Sequence, residues 1–299
     1  MIKINTKPYK KVGTHDGRFH ADELMATAIL QQIFDIEVVR TRDPDTLEKL
    51  DIVYDVGGGK FDHHGEDKEY RSDEIPYAAS GLIWREYGYE VIRAFDGSLT
   101  KEEIQSAHQH VDKVLITGID ALDNGIRPEN ETFRLMNISA MLSGFNPPWY
   151  SAESEDAAFY NGVRVCSQVL KNTISQSFGV LKGRDEVINA FTRRENPNIL
   201  VLDVNCPWQE TIIDIDEEEE VMLAIYPDNN RYALQTVRGK DKKDRMQLPR
   251  KWAGKENQEL ANLSGVSDAI FCHTGLFFAA SKTLKGAKEL AQKALQNAK

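Results

Sequence analysis

Cysteine is scarce in this chain. There are three in 299 residues, Cys166, Cys206 and Cys272, odd in number and nowhere in a C-x-x-C spacing. That excludes a disulfide framework and a structural zinc site, and favours a reducing compartment. Long apolar runs are also missing: none approaches the roughly 18 residues of a membrane helix, so no membrane partner is expected. Positive charge is in deficit, with 37 Lys and Arg against 47 Asp and Glu, a net charge of −10. A broad basic face for duplex nucleic acid is thereby excluded, while a small anionic substrate in a local basic pocket is not. Met1 to Lys11 carries four lysines but no apolar core and no Arg/Ser-rich amphipathic pattern. No signal or transit peptide is read there, and the cytoplasm is the expected location, with mitochondrion or nucleus open to a eukaryotic chain.

Against these absences stands a concentration of histidine. Four of the seven histidines fall in two short segments, Thr14-His15-Asp16-Gly17-Arg18-Phe19-His20-Ala21-Asp22-Glu23 and Phe61-Asp62-His63-His64. The second lies six residues beyond Asp55, which ends the apolar run Ile52-Val53-Tyr54.

Periodicity places both segments. Residues 9–14 read as a first strand, Glu23 to Phe34 as a helix, Ile36 to Arg40 as a second strand, Pro44 to Leu50 as a short helix and Ile52 to Val56 as a third strand. Such alternation indicates a mainly parallel sheet with covering helices, an α/β fold. Open sheets of this kind keep their chemistry beyond the carboxyl ends of the strands, where His15 to Asp22 and Asp55 lie. Gly57-Gly58-Gly59 lets the backbone turn sharply and return Asp62 to His64 to that edge. Gly57 to Lys60 is not a phosphate loop, since Phe61 stands where Ser or Thr belongs.

Further on, Ala78 to Tyr87 and Lys101 to Val111 read as helices, the latter capped by Ser98 or Thr100. Val114 to Ile119 reads as a buried strand delivering Asp120 and Asp123 to its end, before the turn signal Asn124-Gly125. Met141 to Trp149 reads as a loop and Glu153 to Phe178 as a long helix. The charged segment 179–197 is taken as the connection between a first domain, 1–178, and a second, smaller α/β domain, 198–299. In the second, strands are expected at Ile199–Val204, Val221–Tyr226, Tyr232–Val237, Ala269–His273 and Leu276–Ala280, with a last helix from Thr283 to Ala298. The acidic run Asp214 to Glu220 reads as a solvated loop.

Imidazole and carboxylate without thiolate suit Mn²⁺, Mg²⁺, Fe²⁺ or Zn²⁺ in open coordination. His15, His20, Asp22, Asp55, His63 and either Asp120 or Asp123 are ligands enough for two ions, and a single ion would leave several carboxylates close together and unneutralised. Two ions about 3.5 to 4 Å apart suit hydrolysis of phosphate esters.

The order His15…His20-Ala21-Asp22, Asp55-Val56-Gly57-Gly58, Asp62-His63-His64 and Asp120-Ala121-Leu122-Asp123-Asn124-Gly125 resembles the DHH phosphoesterase superfamily. More narrowly, Thr14 to Glu23, with Leu248 to Trp252 and Phe271 to Phe277, resembles the melanocyte-proliferating-gene exonuclease family. That resemblance implies a DHH domain joined by a helical linker to a DHHA-type substrate domain, a dinuclear Mn²⁺ centre and 3′-to-5′ exonuclease activity on RNA. It also implies that His15, His20 and Asp55 hold one metal, that Asp22, Asp55, His63 and Asp120 hold the other, and that Asp55 bridges. Asp62 would orient a histidine, and His64 would face the substrate phosphate or protonate the leaving oxygen. His20-x-Asp22 departs from the superfamily's Asp-x-Asp and leaves the metal's identity open.

In the second domain, Arg238 to Lys255 concentrates lysine and arginine around Trp252, a composition that can grip phosphates and stack a base. Arg245, Arg250, Lys251, Trp252 and His273 are the candidate substrate residues. The expected function is a two-metal 3′-to-5′ exoribonuclease acting on single-stranded RNA or short oligonucleotides. The rivals are a hydrolase of pyrophosphate or a cyclic dinucleotide, and a metal-stabilised binding protein without turnover. A homo-oligomer is compatible with either reading.

Overall fold

The apolar residues Val12, Ile52 and Tyr54 are buried, and they sit where the first and third strands are expected. The computed structural model describes residues 7–127 and 135–297, and the chain falls into two compact units meeting at Phe178 and Gly179. Most of the N-terminal stretch read for targeting, and Ala298 at the end of the last helix, lie outside the described residues.

In the first unit β1 (Tyr9–Thr14) is the central strand of a three-stranded sheet. It pairs in parallel with β2 (Asp35–Arg40) on one side and β3 (Ile52–Val53) on the other. The chain leaves β1 toward one neighbour and comes back on the other side, so a crevice opens beyond the carboxyl ends of β1 and β3. Helix α1 (Ala21–Ile33) is buried from Ala21 to Leu30 and packs against α3 (Ala79–Phe95). Between them in sequence lies the short α2 (Pro44–Leu47), capped by Asp43.

One expected strand is a helix. After α4 (Lys101–Val111) the chain continues through a π-helical turn, Asp112–Ile116, into α5 (Thr117–Asp123). Val114 is 49% exposed, while Val111, Leu115, Ile116 and Ile119 are buried. These apolar residues therefore form a stripe on one helical face, and the β-branched run at 114–119 is overridden by tertiary packing. The expected loop at 141–149 likewise begins inside a helix, α6 (Ile138–Ser143), and α7 (Glu155–Thr192) runs through most of the segment taken as a connection.

The second unit is built on a five-stranded sheet in the order β4 (Ile199–Val201), β5 (Leu223–Asp228), β6 (Arg231–Thr236), β8 (Phe278–Ser281), β7 (Ala269–Cys272). Only β4 and β5 are parallel. On one face α10 (Leu284–Asn297) presents Ala287, Leu290, Ala291 and Ala294 at helical spacing to a core that includes Leu223, Leu234, Trp252 and Leu260 of α9 (Asn257–Ser264). A separate core of Val187, Leu200, Trp208, Ile212 and Val237 includes α8 (Gln209–Ile215). Among the described residues no helix is long and apolar enough to cross a membrane.

Candidate metal centre

Thr14 ends β1 in the core, and the loop that follows is held from both sides. Phe19 is fully buried, edge-on to Phe159 at 5.8 Å. Its backbone is clasped by one distant amide: Asn146 Oδ1 accepts the Phe19 N–H at 2.9 Å, and Asn146 Nδ2 donates to the Phe19 carbonyl at 2.8 Å. This fixes His15 and His20 on either side of Phe19.

Asp22 and Glu23 follow in the first turn of α1, where the helix dipole favours acids. Asp22 accepts the N–H groups of Ala79 at 2.8 Å and Ser80 at 2.7 Å, at the start of α3. Glu23 Oε1 accepts the His20 N–H at 2.8 Å and lies 3.1 Å from His15 Nε2.

Asp55 lies just past β3 with a left-handed backbone, φ 60°, and Gly57 and Gly58 continue the reversal at φ 87° and 70°. An aspartate tolerates that conformation at a cost, and such strain gathers at functional sites. The turn is closed by Asp62, which accepts the Gly58 N–H at 2.7 Å and the His64 N–H at 3.1 Å. It returns His63 to the crevice with its side chain 7% exposed and leaves that of His64 62% exposed, with Nδ1 2.8 Å from Asp62.

The two histidine segments meet on Asp55. Its Oδ2 is 3.4 Å from His15 Nε2 and its Oδ1 is 3.2 Å from His63 Nε2. His63 Nε2 also faces Asp123 at 3.2 Å and Asp22 at 3.8 Å. Among the described residues, three groups of side chains could thus hold a metal ion: His15, His20 and Glu23; Asp55, His63 and His64; Asp22, His63 and Asp123.

Of the two aspartates left open, Asp123 faces the cluster. Asp120 is fully buried behind it, accepting from the Ser80 hydroxyl at 2.7 Å and the Gly81 N–H at 3.1 Å and paired with Arg71 at 2.7 Å. A β-carbon on Gly81 would stand 1.8 Å from the Asp120 carboxylate, so α3 approaches Asp120 only because residue 81 has none.

The electrostatics are those of a site made for cations. Burial, then the charges of Asp55 and Asp123, push the Asp22 carboxyl well up, and burial raises Glu23. Burial raises Asp120 to about 6 despite Arg71 and Ser80. Burial opposes ionisation of Asp55 too, but hydrogen bonds from His15 and His63 outweigh it and bring that carboxyl to about 2. Against burial, contacts with Asp55 and Glu23 lift His15, and contacts with Asp123 and Asp55 lift His63, each to about 10. Packed carboxylates are tolerable only beside positive charge, which the neighbouring imidazoles or a bound cation would supply. Glu23 Oε2 and His63 Nδ1 are buried without a hydrogen-bond partner among the described residues. Oxygen and imidazole donors with unused capacity suit a hard divalent cation.

Above the cluster is a cavity of about 360 Å³ lined by His15, Asp55, His64 and Asp123, with Arg18, Arg42 and Arg127 adding positive charge. Sequence reasoning missed these arginines, whose positions in three separate loops carry no common pattern. It also missed Glu23, although its place three residues after His20 follows the helix-start pattern.

In the second unit two expectations are corrected. Trp252 is fully buried in the core and offers no stacking surface. Arg245 has a side chain only 3% exposed, paired with Asp216 and donating to the Val221 carbonyl at 3.0 Å. Asp216, assigned to a solvated loop, is 2% exposed and also accepts the Glu220 and Val221 N–H groups, so a buried carboxylate claims the arginine. Arg250 and Lys251 are exposed on a 3₁₀ turn. His273 is half-buried, its Nδ1 accepting the Gly275 N–H at 2.9 Å and its ring 4.5 Å from that of Phe277.

Known proteins align along nearly the whole chain. It is 29% identical to a MYG1 protein of Schizosaccharomyces pombe over 316 residues, covering 95% of this chain and 97% of the relative. It is 28% identical to the MYG1 protein of Saccharomyces cerevisiae, covering 98% of each. To the human protein named MYG1 exonuclease it is 28% identical, covering 95% of this chain and 85% of the relative. The MYG1 exonuclease family model, described as an uncharacterised protein family (UPF0160), matches residues 11–295, which encompass both histidine segments, and the chain belongs to that family.

Proposed function

We propose that the chain is a dinuclear-metal phosphodiesterase that removes nucleotides from the 3′ end of single-stranded RNA or short oligonucleotides. The observation that carries this is the position of Asp55, one oxygen toward His15 and the other toward His63. Asp55 lies between two half-sites, an arrangement that suits a two-metal phosphoryl-transfer centre. His15, His20 and Glu23 would hold one cation and Asp22, His63 and Asp123 the other. Mn²⁺ is the expected ion, with Mg²⁺ the alternative. Bound there, the pair supplies charge neutralisation for phosphoryl oxygens and a lowered pKa for water.

The protein's own groups do the rest. Arg18, Arg42 and Arg127 draw the phosphodiester to the cavity, arginine being suited to bidentate phosphate contacts. His64, exposed and oriented through Nδ1 by Asp62, delivers a proton to the leaving oxygen. Asp120, tied to Arg71 and Ser80, fixes the junction of α3 and α5 behind the ligands. The exonuclease name of the mammalian relatives supports a nuclease reaction.

The test is a 5′-labelled oligoribonucleotide incubated with Mn²⁺ and purified protein of measured metal content. The expected result is a ladder shortening from the 3′ end and about two metals per chain. Turnover of pyrophosphate with an intact oligonucleotide would overturn the exonuclease reading.

A further inference from the structure

Beside the metal-side cavity lies another, of about 380 Å³, walled by α6 and its flanking residues. The two share His20, Leu122, Asp123 and Arg127, so they are neighbours across those side chains. The volume falls within the roughly 300–1,000 Å³ of small-molecule sites. Its lining mixes apolar Ala21, Leu122 and Leu135 with polar Asn137 and Ser139.

Two observations mark this cavity as built for a ligand. The Ser139 hydroxyl oxygen, on the cavity wall, is buried and has no hydrogen-bond partner among the described residues. The cavity wall is also locked to the metal-binding loop. Asn146, just beyond α6, holds both backbone groups of Phe19, the residue before His20, and its Nδ2 lies 3.3 Å from the Ser143 carbonyl. One amide therefore sets the distance between cavity and cluster.

The charges say what fits. His20, Asp123 and Arg127 are the titratable side chains among the described lining residues, and all three border the metal side. Among the described lining residues, a second phosphate seated deep in the cavity would meet no cation beyond that edge. A neutral body with flat apolar faces and polar edges would meet Leu122 and Leu135 on its faces and Ser139 and Asn137 at its rim. We propose that this cavity seats the terminal nucleoside of the strand, with Arg127 gripping the phosphate attached to it. The assignment rests on the phosphodiesterase reading above and adds a reason for removal of single nucleotides.

The test is calorimetric binding of adenosine monophosphate and of inorganic phosphate to the full chain loaded with Mn²⁺. Wild type is expected to bind the nucleotide at least tenfold more tightly than phosphate. Ser139→Phe and, separately, Ala140→Trp fill the cavity and should remove that advantage, bringing nucleotide affinity down to that of phosphate. Phosphate affinity in the same variants should stay within twofold of wild type, which also reports that they are folded. Equal affinity for the two probes in wild type, or filled variants that keep the nucleotide's advantage, would overturn the assignment. Nucleotide binding of the expected pattern in a protein that leaves oligonucleotides intact would support the cavity and sink the phosphodiesterase reading instead.

Discussion

Both units bury an aspartate against cationic side chains, and they do so to opposite ends. In the second unit Asp216 spends both oxygens on its own fold, accepting two backbone N–H groups and pairing with Arg245. In the first, Asp55 divides its oxygens between two imidazoles, and His63 beside it faces two further carboxylates, Asp22 and Asp123. A closed pair holds a turn in place. An open cluster gathers side chains that could hold a metal ion. Residue type does not separate the two cases; the crowding of further carboxylates does.

Removing each aspartate breaks that contrast most directly. Asp55→Ala should lower metal-dependent hydrolysis about a thousandfold or more, the several kcal/mol expected of a metal clamp, and lower bound metal. Asp216→Ala leaves Arg245 buried and alone, and should cost about 3–5 kcal/mol of stability while the folded fraction keeps its rate. Chemical denaturation and single-turnover rates on both variants check this. Equal rate loss in both would dissolve the distinction.

The corrected substrate residues give the next test. Trp252→Ala opens a core cavity and should cost about 3–5 kcal/mol without raising KM for oligonucleotide per folded molecule. Arg250→Ala, at an exposed position, should leave stability within about 0.5 kcal/mol. A Trp252→Ala protein that stays stable but loses oligonucleotide affinity would restore the stacking role.

These cases show what a sequence displays and what it hides. The β1-α1-β2-α2-β3 order was legible because apolar spacing changes period at each boundary, and the two segments that gather into the cluster were legible because His15 to Glu23 and Asp62 to His64 are dense and sit at strand ends. Val114 to Ile119 was not, since a β-branched run looks like a strand until its neighbour Val111 extends it into a helical stripe. Trp252 and Arg245 were misread because composition reports charge and aromaticity but not which side of a 3₁₀ turn or loop faces the core. The pocket wall at Asn137 to Asn146 was invisible, since its link to Phe19 spans 127 residues.

Within the open cluster the two adjacent histidines should part company by a smaller amount. His63, 7% exposed and facing three carboxylates, should on replacement by alanine weaken metal binding by more than the roughly 10- to 100-fold typical of residues that only orient a ligand. His64→Ala should keep the metals and lose turnover. Metal titration of both variants decides it, and equal metal loss would contradict the division of roles.

The smallest effect sets the units apart by acid. His108 is stacked between Trp84 at 5.1 Å and Tyr89 at 4.2 Å, with Nε2 3.2 Å from the Trp84 carbonyl. Burial lowers its pKa below the ordinary 6.5, although the Trp84 carbonyl and Asp112 favour the charged form. The fold therefore holds this ring neutral under conditions where the unfolded chain takes a proton. Its contribution to stability is full above about pH 6.5 and declines as pH falls from there toward the lower folded value. His108→Phe keeps an aromatic ring in the stack and cannot be protonated. The difference in unfolding free energy between wild type and His108→Phe should be flat above about pH 6.5 and should turn against wild type below it. The slope belongs to the first unit, so a fluorescence probe there should follow it and one in the second unit should not. A flat difference down to the carboxylate range would show that the stacked ring accepts its proton without cost.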